Sequence, residues 1–243
     1  VQDALVAAAA QGQQRAVEAL LKRGASLNRY DRYDRTALIA AIDAGQATLI
    51  ARLVELGADL NLAKPDGWTP LMAASQRGRH ELVAVLVSSG ADVHRRMPNG
   101  YSTLLAAVES GNVDLVADLL DRGLSPNDAM HDGWTPLMAA ASRGQPDVVR
   151  ELLAMGAHPD ARNDVAWTAL LAAVERGNQE VVQALIEAGV DLQARPWDGL
   201  TPLMRAAVRG DQQMVDILKK WGRASTLDDP PQASLQAVVE RSR

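Results

Sequence analysis

Asp43, Glu109 and Glu175 stand 66 residues apart, each near the end of a similar stretch: TALIAAIDAG, STLLAAVESG and TALLAAVERG. Two carboxylates brought close together could share a proton and act as an acid and base pair. Here the spacing argues against it. If the stretches stack as copies of one unit about 10 Å apart, residues in alternate copies lie farther apart still, so the three are expected to form a solvated acidic series. His80, His94, His131 and His158 recur at no fixed place and make no H-x-x-x-H pair, and there is no cysteine to complete a metal site. G-x-x-x-x-G-K-[ST], G-x-G-x-x-G and G-x-S-x-G are also missing, so no phosphate cradle or hydrolase elbow is signalled. No catalytic residue, metal ligand or cofactor is expected.

The aromatic side chains recur more suggestively. Arg35, Trp68, Tyr101, Trp134, Trp167 and Leu200 are spaced by 33, each immediately before a Thr or Ser. The period extends to the elements around them. Glycine occurs at 12, 45, 78, 111, 144, 177 and 210, and again at 24, 57, 90, 123, 156, 189 and 222, two ladders with no insertion. They mark seven repeats over roughly residues 1–226.

Within residues 66–98, Thr69 suits a helix N-cap and Pro70 the first helical position. Leu71, Ala74 and Ser75 share one face of a helix of about two turns that stops near Gly78. A second helix is predicted from about Glu81 to Ser88, with Leu82, Val83, Leu86 and Val87 on its buried stripe. The stretch ADVHRRMPNG then reads as a turn or hairpin leading to Ser102. Twelve residues into each unit, Ile42, Ser75, Val108, Ala141, Val174 and Ala207 alternate large with small, as interlocking neighbours require.

The segments TPLMAA, Gly78, LVAVLV, GADVH and GADLN resemble the ankyrin repeat. The likeness covers about nine tenths of the chain. It implies an all-α fold, an elongated and curved α-solenoid of helix-turn-helix units with finger loops, in one domain over 1–226. The first unit departs from the pattern, with Asp3 at the cap position, as expected of a terminal repeat with one face in water. Residues 227–243 form a tail in which ASLQAVVERSR is expected to make a short capping helix. The His of the ankyrin pattern is replaced by Ile39, Met72, Leu105, Met138, Leu171 and Met204, so cohesion between repeats is expected to lean on burial.

The resemblance also implies that the column Arg35, Trp68, Tyr101, Trp134, Trp167 and Leu200 faces the concave surface used for partner recognition. Trp197 lies close by at a finger tip. Beside the column run Gln76, Arg77, Glu109, Ser142, Arg143, Glu175, Arg176 and Arg209, a mixed rim suited to setting partner choice. The aromatic rings could equally pack on neighbouring fingers, and one ring can do both. Acidic residues lie towards Asp43 and arginines towards Arg209.

A net charge of −5 gives no general attraction for nucleic acid or anionic membranes, and no apolar run is long enough to span a bilayer. Abundant Ala and Arg with little Lys point to a GC-rich bacterial genome. The sequence starts at Val1, so either a leader has been removed, which implies export to a periplasm, or the chain is cytoplasmic. The function expected is non-catalytic protein binding by a monomer. Two alternatives stand beside a general scaffold: an inhibitor or immunity-type protein that covers an enzyme or toxin, and an enzyme or small-ligand binder using groove carboxylates and tryptophans.

Overall fold

The hydroxyl that opens each repeat fixes where its first helix begins. Thr36, Thr69, Ser102, Thr135, Thr168 and Thr201 have extended backbones, and each side-chain oxygen accepts a hydrogen bond from the amide three residues on. Each such cap contributes about 1 kcal/mol by satisfying an amide that the helix leaves open. Pro70, Pro136 and Pro202 follow their caps at a position where no amide hydrogen is needed. The first helices then stop close to glycines with positive φ, 79° at Gly45 and 68° at Gly144.

The computed structural model describes residues 1–225 and contains fourteen helices among them. The inner helices are α1 (Gln2–Ala10), α3 (Ala37–Ala44), α5 (Pro70–Gln76), α7 (Thr103–Ser110), α9 (Pro136–Arg143), α11 (Ala169–Arg176) and α13 (Pro202–Val208). The outer helices are α2 (Gln14–Lys22), α4 (Ala47–Glu55), α6 (His80–Ser88), α8 (Val113–Asp121), α10 (Pro146–Ala154), α12 (Gln179–Glu187) and α14 (Gln212–Ser225). They fall into two compact units, Val1–Leu124 and the part from Ser125 onward. In the first unit α1 packs on α3, α3 on α5 and α5 on α7; in the second α9 packs on α11 and α11 on α13. The expected tail helix of residues 227–243 lies outside the described residues.

Inner helices are buried on nearly every side because a neighbouring repeat flanks them. Ala37 through Ile42 and Leu104 through Val108 are all within 1% of complete burial. Alanines at Ala40, Ala73 and Ala106 let the helices approach closely. The alternating position is buried as well, with Ile42, Ser75, Val108, Ala141 and Val174 all at 0% exposure. Outer helices bury only a stripe, such as Val83 and Leu86 in α6 or Val148, Val149 and Leu152 in α10.

Cohesion between repeats is less purely apolar than the replaced histidines suggest. Ile39, Met72, Leu105, Met138 and Leu171 are indeed buried to 1% or less. A second, polar ladder runs beside them. The Asn61 side chain donates to the Gly90 carbonyl at 3.2 Å and accepts from the Asp92 amide at 2.8 Å. Asn28 repeats this with Gly57 and Asp59, and Asn127 with Gly156 and His158. Asn112 and Asn178 reach back to the Gly78 and Ala141 carbonyls, both at 2.9 Å. These side-chain amides tie consecutive repeats beside the apolar packing.

Two further differences concern the first repeat and the fingers. Asp3 does not cap α1, which starts at Gln2 after Val1. Asp3 therefore lies inside the first turn, and its carboxylate accepts from the Arg32 amide and guanidinium, at 3.0 Å and 2.8 Å. Each finger is a tight turn: the Met97 amide donates to the Tyr101 carbonyl and the Gly100 amide to that of Met97, both at 2.9 Å. Arg96 and Ser102 form an isolated antiparallel bridge across it. The residue at Gly100's place has positive φ in every finger, including the non-glycine residues Asp34 (55°) and Ala166 (58°).

Candidate binding surface

Each finger aims one side chain beside the inner helix, and a short polar side chain fixes its backbone. The amides of Trp68 and Trp134 donate to Asp66 and Asp132, that of Tyr101 to Asn99, that of Trp167 to Asn163 and that of Leu200 to Asp198. These local turns fix the backbone just before each helix cap. Arg35, Trp68, Tyr101, Trp134, Trp167 and Leu200 are all half-buried. Packing and display therefore coexist in the same side chains.

In the first unit the Trp68 and Tyr101 rings meet at 5.7 Å between centroids with a 31° tilt. Arg35 is held within its own finger, paired with Asp31 at 2.8 Å and lying 5.3 Å from the Tyr33 ring centroid. The rim is closed upon itself too: Arg77 pairs with Asp43 at 3.0 Å and donates to the Ala73 carbonyl, while Gln76 donates to Glu109 at 3.0 Å.

The second unit is more open. Trp134 and Trp167 line a cleft of about 510 Å³ with Val165 between the fingers and Ser142, Arg176 and Arg209 on the rim. Val165, Arg176 and Arg209 are exposed, so the cleft faces solvent. Arg143 is exposed one repeat before Arg176, and Trp197 is 79% exposed at its finger tip.

The acidic series is not simply solvated, in contrast to the expectation from its spacing. Asp43 is held by Arg77, Glu109 by Gln76, and Glu175 by Arg205 at 3.0 Å and Arg209 at 3.8 Å. Adjacent repeats place a complementary polar group against each acid: at an unlike position for Asp43 and Glu175, and at the like position, 33 residues away, for Glu109. Their partners are cations and an amide rather than a second carboxylate. Among the described residues no group of three His, Asp or Glu side chains could hold a metal.

Arg205 is the residue that the periodicity hides. It stands where the other repeats have Ala40, Ala73, Ala106, Ala139 and Ala172, all buried. Its side chain is 10% exposed, pairs with Glu175 and Asp198, and places its guanidinium 4.5 Å from the Trp167 ring centroid. Burial raises the Asp198 pKa, but the Leu200 amide and the Arg205 guanidinium outweigh it and hold the carboxyl below its ordinary value. The exception is visible in the sequence as TPLMRAA, but its chemistry emerges only when Trp167, Glu175 and Asp198 are brought around it.

A family model described as "Ankyrin repeats (3 copies)" matches residues 4–97, 90–163 and 156–228. The chain belongs to the ankyrin repeat family. The ankyrin repeat domain of human ASB11 matches in structure with a TM-score of 0.78 and 28% sequence identity, covering 93% of this chain and 98% of that one. No curated protein matches the chain in sequence. Ankyrin repeats are generally protein–protein interaction modules, a non-catalytic fold. No helix among the described residues is long and apolar enough to cross a membrane.

Proposed function

We propose that this ankyrin-repeat protein is a non-catalytic binding module for a protein partner, with residues 1–226 as the binding domain. Its contact surface is the face formed by fingers and inner helices, anchored in the second unit by Trp134, Trp167 and Trp197. The observation that carries this reading is the open cleft between Trp134 and Trp167 with exposed arginines on its rim. Large, rigid aromatic side chains surrounded by polar groups are the composition of an energetic hot spot. In the first unit, by contrast, Trp68 and Tyr101 pack on each other and the rim is satisfied by internal pairs.

The reading is tested by affinity capture from the native extract using the wild type and a Trp134→Ala, Trp167→Ala double variant, with thermal melts of both. A partner retained by the wild type and lost by a still-folded variant supports it. Equal capture by both places the interface elsewhere.

A further inference from the structure

The proposed surface in the second unit carries an uneven distribution of satisfied charge. Glu175 faces the cleft, yet its charge is already met by Arg205, which reaches it from a buried position at 3.0 Å. Arg205 simultaneously meets Asp198. Arg205 therefore pairs with both acids from beneath, and together with Arg176 and Arg209 at the cleft the guanidiniums outnumber these two carboxylates. Arg209, by contrast, reaches Glu175 only at 3.8 Å, and Arg176 has no ion pair among the described residues. Both guanidiniums are exposed and border the cleft. The same register in the first unit behaves differently, since Arg77 is closed onto Asp43 at 3.0 Å.

Apolar surface lies next to these cations. Val165 is 41% exposed, and the indoles of Trp134 and Trp167 are half-buried around the same space. A volume of about 510 Å³ falls in the range that takes a small ligand or a few side chains. A guanidinium recognises a carboxylate through paired, charge-assisted hydrogen bonds. Resting on the protein-binding reading above, we infer that the cleft receives an acidic peptide segment of the partner, with Asp or Glu carboxylates on Arg176 and Arg209 and an adjacent apolar side chain between Trp134 and Trp167.

The test is selection from a random linear peptide display library on the full chain. Affinities of the enriched peptides are then measured by fluorescence polarisation against the wild type, an Arg176→Gln, Arg209→Gln variant and a Trp134→Ala, Trp167→Ala variant. Melts confirm that each variant is folded. The expected result is enrichment of peptides with Asp or Glu beside an apolar residue. Their affinity should fall at least about tenfold in the arginine variant and weaken as salt is raised. Peptides that depend on the tryptophans but lack acidic residues, or that bind the arginine variant unchanged, would overturn the acidic specificity while leaving the surface in place. Peptides indifferent to both variants would remove the surface as well, and a library that yields no binder overturns the peptide inference alone, since capture of a folded partner is measured separately.

Discussion

The Arg205 guanidinium lies 4.5 Å from the centre of the Trp167 ring, with Glu175 and Asp198 on its other groups. A tryptophan on one finger is thereby fixed by a side chain from the next repeat's inner helix. A desolvated cation over an indole contributes about 2 kcal/mol, while the two ion pairs add little because their acids are 41% and 47% exposed. Replacing Arg205 by Ala, the residue of the other repeats, should destabilise the protein by about 2 kcal/mol. Arg205→Lys keeps the charge but loses the planar stack, so it should recover only part of that loss. Urea unfolding of the three proteins checks the order; an Ala variant as stable as wild type would contradict it.

Backbone strain at one finger should be removable. Ala166 occupies the left-handed region at φ 58°, where the neighbouring fingers have Gly133 and Gly199. Ala166→Gly relieves about 1–2 kcal/mol of steric cost, against about 0.4–1 kcal/mol of added freedom in the unfolded chain. A net gain of about 0.5–1 kcal/mol is expected, read as a raised denaturation midpoint. The reverse change at Gly133 is far worse, because a Cβ there would stand 2.8 Å from the Asn163 Cα.

The alternating position offers a second gain. Ser75 is fully buried, and its hydroxyl has no hydrogen-bond partner. The equivalent residues Ala141 and Ala207 lack the oxygen. Ser75→Ala should stabilise by about 1 kcal/mol by removing an unmet polar group; a loss of stability would show that the hydroxyl is satisfied in solution.

Acid should unfold the protein through a few identified carboxyls. Burial raises the Asp31 pKa, but the Arg35 amide and guanidinium with the Tyr33 amide outweigh it; the Arg32 amide leads the lowering at Asp3. Asp198 is lowered as well. A carboxyl depressed in the folded state binds protons more readily when unfolded, so its stabilisation is complete above the ordinary value of 3.8 and lost as pH falls through the folded value. Melting temperature should therefore drop steeply below about pH 4. The drop should be shallower in Asp31→Asn, which begins from a lower plateau. Melts across this range that fall equally in both proteins would contradict the assignment.

The elements were legible because each rests on local chemistry that repeats: a Thr or Ser cap, a proline after it and a glycine with positive φ. The fingers' aromatic column was legible for the same reason, as its half-burial follows from a fixed place before the cap. What periodicity conceals are relations between unlike positions. Asp43 with Arg77 and Glu175 with Arg205 pair residues 34 and 30 positions apart, offsets that a 33-residue comparison does not inspect. Asn28, Asn61 and Asn127 are visible in the repeat pattern, but their bridging of consecutive repeats depends on how closely the stacked fingers approach.

Stability and binding should separate at the finger tips. Trp197 is 79% exposed, so Trp197→Ala should leave the unfolding free energy within about 0.5 kcal/mol of wild type while weakening partner binding. Trp167→Ala should impair both, since its ring supports Arg205.

The most direct measurement is site-specific photocrosslinking in the native extract, with a photoreactive amino acid replacing Trp197 in one protein and Val85, exposed on outer helix α6, in another. Binding at the finger and inner-helix face predicts a discrete protein adduct from position 197 and none from position 85. An adduct from position 85 alone would place the interface on the outer helices and contradict the proposed surface.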